Sequence, residues 1–172
     1  MKLASLQALA RTLNDAEVPF ILVGGLAVNA HGYGRLTWGV DLVIRLEAGA
    51  IRRAFAALGT LGYAPRVPIT ADGFADPAQR ERWSREKGMM VLSFHSDAHR
   101  ETPVDVFVRE PFDFAAEYER ALTEDVAVGV PVRILALDTL ARLKHAAGRP
   151  QDLADLAELR LLHGDLGDGH GD

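Results

Sequence analysis

The segment that most restricts this chain is Phe20-Ile21-Leu22-Val23, an unbroken apolar run that follows Pro19 and ends on Gly24-Gly25. A run of that length between a proline and a glycine pair reads as a strand buried on both faces that turns sharply at its end. Such a strand needs helices above and below it. Leu3, Leu6, Leu9, Ala10 and Leu13 recur at helical spacing ahead of it, and Leu26 to His31 forms a short helix after it, broken by Gly32 and Gly34.

The alternation of strand and helix continues. Val40 to Leu46 (VDLVIRL) is a second apolar strand, and Ile51, Phe55, Leu58 and Leu61 mark a helix over 51–61. Pro65 and Pro68 open a looser region, after which Pro77 and AQRERWSREKG predict a polar helix suited to a lid or flank rather than to the core. Met89 to Phe94 and Val104 to Val108 are strands that the polar segment 95–103 joins most simply as an antiparallel pair. A helix over 111–122, one or two short strands over 126–134 around Gly129 and Pro131, and helices over 135–147 and 150–163 complete the pattern. The expected fold is one α/β (α+β) domain over residues 1–163, a mixed sheet flanked by helices with a helical carboxy-terminal part. The closing GDLGDGHGD, residues 164–172, carries too little apolar surface to order itself and is expected to be disordered.

At 172 residues and 48% hydrophobic composition, the chain can build a core without metal or disulfide staples. The absence of cysteine excludes a disulfide framework, a thiolate zinc site and a cysteine nucleophile. Nineteen Lys and Arg against 24 Asp and Glu leave a formal charge of −5, so no global field attracts a large polyanion. The opening MKLASLQALARTLNDAEV holds Asp15 and Glu17 and no sustained apolar run, so neither a signal peptide nor a membrane span is expected. The expected compartment is the cytoplasm.

Three features carry chemistry. Gly24-Gly25 lets the backbone turn tightly and approach a ligand, and free N–H groups at a helix start favour an anion such as phosphate; a tight turn without a ligand explains the pair equally well. Asp41 and Asp105 (in Pro103-Val104-Asp105-Val106-Phe107) are carboxylates in apolar strands, which are costly there unless hydrogen-bonded, paired or bound to a metal. Two of them on separate strands point to a metal, although each singly could cap a turn or pair with Arg35 or Arg45.

Taken together, Val23-Gly24-Gly25-Leu26-Ala27-Val28, His31-Gly32, Arg35, Thr37 and Val40-Asp41-Leu42-Val43-Ile44 resemble the opening motif of the nucleotidyltransferase fold of the DNA polymerase beta superfamily. The likeness is greatest to the AbiEii-type and minimal nucleotidyltransferases of toxin–antitoxin systems. Leu140 to Lys144 and Ala147 to Leu156 are similar to the closing helices of these proteins. The resemblance implies that Gly24 and Gly25 hold a triphosphate, with Arg35, Thr37, Lys144 and Arg149 as further nucleotide-binding residues. It also implies that strand carboxylates hold two Mg²⁺ ions, with Asp41 and Asp105 as ligands and Asp105 as base toward the acceptor. The implied reaction moves a nucleoside monophosphate from Mg–NTP to a hydroxyl of a protein, a tRNA or a small molecule.

The chain departs from that pattern two residues before Asp41, where Gly39 replaces the first carboxylate. With Asp41 and Asp105 alone, transfer is expected to be severely weakened or absent, and Glu47 or Asp97 offers the least convincing rescue. The rival expectation is a non-catalytic binding module that acts by contact with a toxin or antitoxin partner. Other residues suit plainer roles. His31 fits a local hydrogen bond at a helix end, Trp83 a packing anchor, and Asp152 and Asp155 the start of the last helix. Lys144 and Arg149 also suit helix ends, and His95, Asp97 and His99 suit a solvated loop.

Overall fold

The computed structural model describes residues 1–166. It shows a mixed α/β architecture, one seven-stranded sheet with helices packed on it. The elements are α1 (Leu3–Asp15), β1 (Phe20–Val23), α2 (Gly24–Ala30), β2 (Val40–Ile44), α3 (Ala48–Thr60), β3 (Ala64–Pro65), α4 (Ala71–Ala75) and α5 (Pro77–Lys87). They continue with β4 (Val91–His95), β5 (Val104–Phe107), α6 (Phe114–Arg120), β6 (Leu122–Ala127), β7 (Val130–Ile134), α7 (Leu137–Ala147) and α8 (Pro150–His163).

The strand order is β3-β4-β5-β2-β1-β7-β6. The expected central strand β1 is buried at all four residues. It runs antiparallel to β2 and parallel to β7, while β2 runs parallel to β5. β4 and β5 form the expected antiparallel pair, and β6 and β7 form a hairpin around Gly129. Helix α1 buries Leu6, Leu9, Ala10 and Leu13, the stripe read from its spacing, and packs on α3 and β7. Helix α2 packs on β1, β2 and α7, and α7 packs on α8.

Several boundaries differ from expectation for local reasons. Helix α2 starts at the glycines themselves rather than at Leu26. Helix α6 starts only at Phe114, where the Asp113 side chain accepts a hydrogen bond from the Ala116 N–H, and Leu122 already belongs to a strand. The looser region contains β3 and α4, with the Thr70 hydroxyl capping α4. Helix α5 has Asp76 as its cap and Pro77 in its first turn. It is a flank and not a lid over Asp41, because it lines a surface with Leu46, Val108 and Glu110, at the opposite ends of β2 and β5. Trp83 packs against the core from α5. Leu166 also packs against the core, against the disorder expected from Gly164 onward; the rest of that expectation, residues 167–172, lies outside the described residues.

Ile21 is 0% exposed in the central strand, whereas Val128 at the β6–β7 turn is 98% exposed. Ile21→Ala should therefore cost about 2–5 kcal/mol and Val128→Ala less than about 0.5 kcal/mol, as read from urea unfolding midpoints. Equal shifts would contradict the burial of β1.

Candidate functional site

The site lies where β1 ends and β2 and β5 begin. Strand register brings Val23 opposite Asp41, Asp41 opposite Asp105, and Asp105 opposite Ser93. Residues opposite one another share a face of the sheet, so Asp41, Asp105 and Ser93 form a row beside the Gly24-Gly25 turn. The Ser93 hydroxyl donates to Asp105 Oδ1 at 2.5 Å.

The glycine pair is required by close approach. Gly24 has φ +62°, and a Cβ there would stand 2.1 Å from Asp41 Oδ2. A Cβ at Gly25 would stand 2.7 Å from Thr37 Oγ1 and 3.3 Å from an Arg35 guanidinium nitrogen. The Gly25 N–H donates to the Asp41 carboxylate. Thr37 Oγ1 in turn donates to the Gly39 carbonyl at 3.3 Å, which braces the lead-in to β2.

Arg35 does not serve as the counter-charge of Asp41. Its Nε lies 2.7 Å from Asp155 Oδ1 and its Nη2 donates to Asp155 Oδ2 at 2.9 Å, because the loop after α2 turns toward α8. Asn29 clamps that loop through hydrogen bonds to both the N–H and the carbonyl of Arg35. Lys144 Nζ reaches Asp155 at 2.7 Å and Asp152 at 3.0 Å, and Arg149 Nε reaches Asp152 at 2.6 Å. Asp152, Asp155 and Lys144 are buried, and Arg149 is exposed. Burial alone would raise both carboxyls, but hydrogen bonds from Arg149 and Lys144 to Asp152, and from Arg35 and Lys144 to Asp155, hold them below the usual range. The sequence placed these two acids at the start of a helix; their central position in an ion cluster came from the tertiary packing.

The remaining candidates fall elsewhere. His31 Nε2 is 2.7 Å from the Leu135 carbonyl and so ties α2 to the end of β7. His99 Nδ1 meets Ser5 Oγ at 2.8 Å and its ring stacks on Tyr63, while Asp97 pairs with Arg100. Glu47 pairs with Arg45 beyond the far end of β2. Ser93 was missed by sequence reasoning; the sequence shows only a serine between Leu92 and Phe94, and the pairing of β4 with β5 is what sets it opposite Asp105.

Asp41 is pushed up to about 6, first by burial and then by the charge of Asp105; Lys144, Arg149 and the Gly25 N–H oppose the shift. Two carboxylates side by side, one of them shifted upward by burial and then by the charge of the other, form a donor set that a divalent cation would relieve. Mg²⁺ accepts two carboxylates with water and phosphate oxygens filling its other positions. The set fits one ion. A two-ion clamp does not fit it, because Gly39 offers no oxygen side chain and no cluster of three or more His, Asp or Glu side chains is placed to hold a metal among the described residues.

Because Asp41 binds its proton more tightly in the folded chain than in the unfolded one, folding favours the acid form. The resulting penalty appears as pH rises from about 4 through about 6 and reaches about 3 kcal/mol above that. Asp41→Asn should therefore raise the thermal midpoint at pH 8 and change it little at pH 4, measured without divalent cations. A difference independent of pH would remove the upward shift of Asp41 by burial and by Asp105 from the account. No protein-family model and no curated protein matches this sequence.

Proposed function

We propose that this chain is a nucleotidyltransferase-type module that binds Mg²⁺ with a nucleoside triphosphate, its transfer step impaired by Gly39. The observation that carries the reading is the register of Asp41 with Asp105 beside the Gly24-Gly25 turn. Asp41 and Asp105 would hold the ion, which supplies charge neutralisation on the phosphates and polarises the phosphorus toward attack. Ser93 fixes the Asp105 carboxylate through its hydroxyl. Lys144 and Arg149 contribute positive charge that is felt at Asp41, so anionic phosphate meets cations on the helical side of the pair.

Asp105 keeps its role as base toward an acceptor hydroxyl of a protein, a tRNA or a small molecule. Such chemistry draws on the Mg–NTP pool of the cytoplasm, the compartment proposed for the chain. No helix among the described residues is long and apolar enough to cross a membrane.

One observation favours a second reading, a non-catalytic module acting by contact with a toxin or antitoxin partner. The loop that carries Gly39 also exposes Leu36 at 85% and Trp38 at 82%, two large apolar side chains offered to solvent beside the site.

Calorimetric titration of ATP, CTP, GTP and UTP, each with Mg²⁺, separates the two. At least one should bind, with binding abolished by EDTA and reduced at least tenfold in Asp41→Asn and Asp105→Asn. Gly39→Asp should tighten that binding, although its Cβ would stand 3.0 Å from the Pro103 carbonyl and the start of β5 must shift by a few tenths of an ångström. Absence of binding for all four nucleotides would overturn the proposal and leave the contact module.

A further inference from the structure

A second feature lies at the opposite end of the same strands, away from Asp41 and Asp105. A cleft of about 360 Å³ opens just past β2 and β5, walled by Leu46, Val108 and Pro77 and edged by Arg80, Arg109, Glu81 and Glu110. β2 and β5 are parallel, so the carboxyl ends of both point toward this cleft. Its volume falls in the range of small-molecule sites, toward the small end.

Arg80 is the unusual member. It is 6% exposed, yet no carboxylate among the described residues lies within ion-pairing distance of it. Its guanidinium donates to the Phe74 carbonyl and lies 5.7 Å over the Phe74 ring, which orients the group and leaves most of its donor fork uncommitted to an acid. Burial pushes its proton affinity down, and the more distant charges of Glu110 and Asp76 oppose that shift. None of its nitrogens is both shut off from solvent and without a partner, so the N–H groups not given to Phe74 stay accessible, and a carboxylate delivered by a ligand could take them as a charge-assisted pair.

The other charges at the mouth narrow the ligand further. Arg109 and Glu81 pair with each other, so they cancel. What remains is one cation inside, Arg80, and one anion at the rim, Glu110, whose Oε1 is positioned by the Leu46 N–H at 3.0 Å. A simple anion would meet Glu110 as a like charge. A ligand carrying both a carboxylate and an ammonium meets both residues favourably, and Leu46, Val108 and Pro77 offer contact to an aliphatic side chain.

We propose that this cleft binds a small aliphatic zwitterion of the α-amino-acid class, its carboxylate on Arg80 and its ammonium on Glu110. The site is independent of the nucleotide reading and stands or falls without it. The test is calorimetric titration of the full chain with L-leucine, beside 4-methylpentanoate, which lacks the amine, and 3-methylbutylamine, which lacks the carboxylate. L-Leucine should bind saturably and both analogues at least tenfold more weakly. Glu110→Gln, which keeps the acceptor for Leu46, should weaken leucine at least tenfold while 4-methylpentanoate, freed of a like charge, binds no more weakly than before. Leu46→Trp, which fills the cleft from its wall, should abolish binding without unfolding a half-buried position. Absence of leucine binding overturns the proposal, and so does equal affinity for 4-methylpentanoate or an unchanged affinity in Glu110→Gln.

Discussion

The backbone at Gly24 passes so close to β2 that the Asp41 carboxylate occupies the space where a Cβ would stand. Much of the site depends on that contact. It needs a residue without a side chain, in a left-handed conformation, directly after a strand buried on both faces. It also needs β1 and β2 in the one register that sets Val23 opposite Asp41. A slip of one residue would send Asp41 to the other face of the sheet, away from the glycine turn.

The second organising element is the buried ion cluster that joins three parts of the chain. Asp155 receives Arg35 from the loop after α2 and Lys144 from α7, while Asp152 receives Lys144 and Arg149. Buried pairs of this kind add little net stability over apolar packing, but removing one partner leaves an uncompensated charge and is strongly unfavourable. The cluster therefore acts less as glue than as a constraint on register: α7 and α8 can dock on α2 only where each charge finds its partner. It also keeps Lys144 and Arg149 near Asp41, where their positive charge counters the repulsion from Asp105.

Near the Asp41–Asp105 pair, the charges almost balance. Arg35, Lys144 and Arg149 stand against Asp152 and Asp155, and the surplus cation faces two further carboxylates. A divalent ion carrying a polyphosphate would suit that arrangement better than a free anion, since the ion answers the carboxylates and the phosphates answer the cations.

The strands and most helices were legible in the sequence because their signals are local. The apolar run at Phe20–Val23, the stripe of α1 and the start of α5 at Pro77 each depend on neighbours a few residues away. Gly24, Gly25, Asp41 and Asp105 stood out in the sequence too, since glycine pairs at strand ends and carboxylates in apolar strands are conspicuous out of any context, and the strand register brings them together. Ser93, the pairing of Arg35 with Asp155 rather than Asp41, and the place of α5 away from the site were not. Each depends on contacts between residues far apart in the chain, such as Arg35 and Asp155, 120 positions apart. Periodicity specifies which face of an element is apolar, and therefore which elements exist. Only the packing of those faces decides strand order and register, and with them which charges meet.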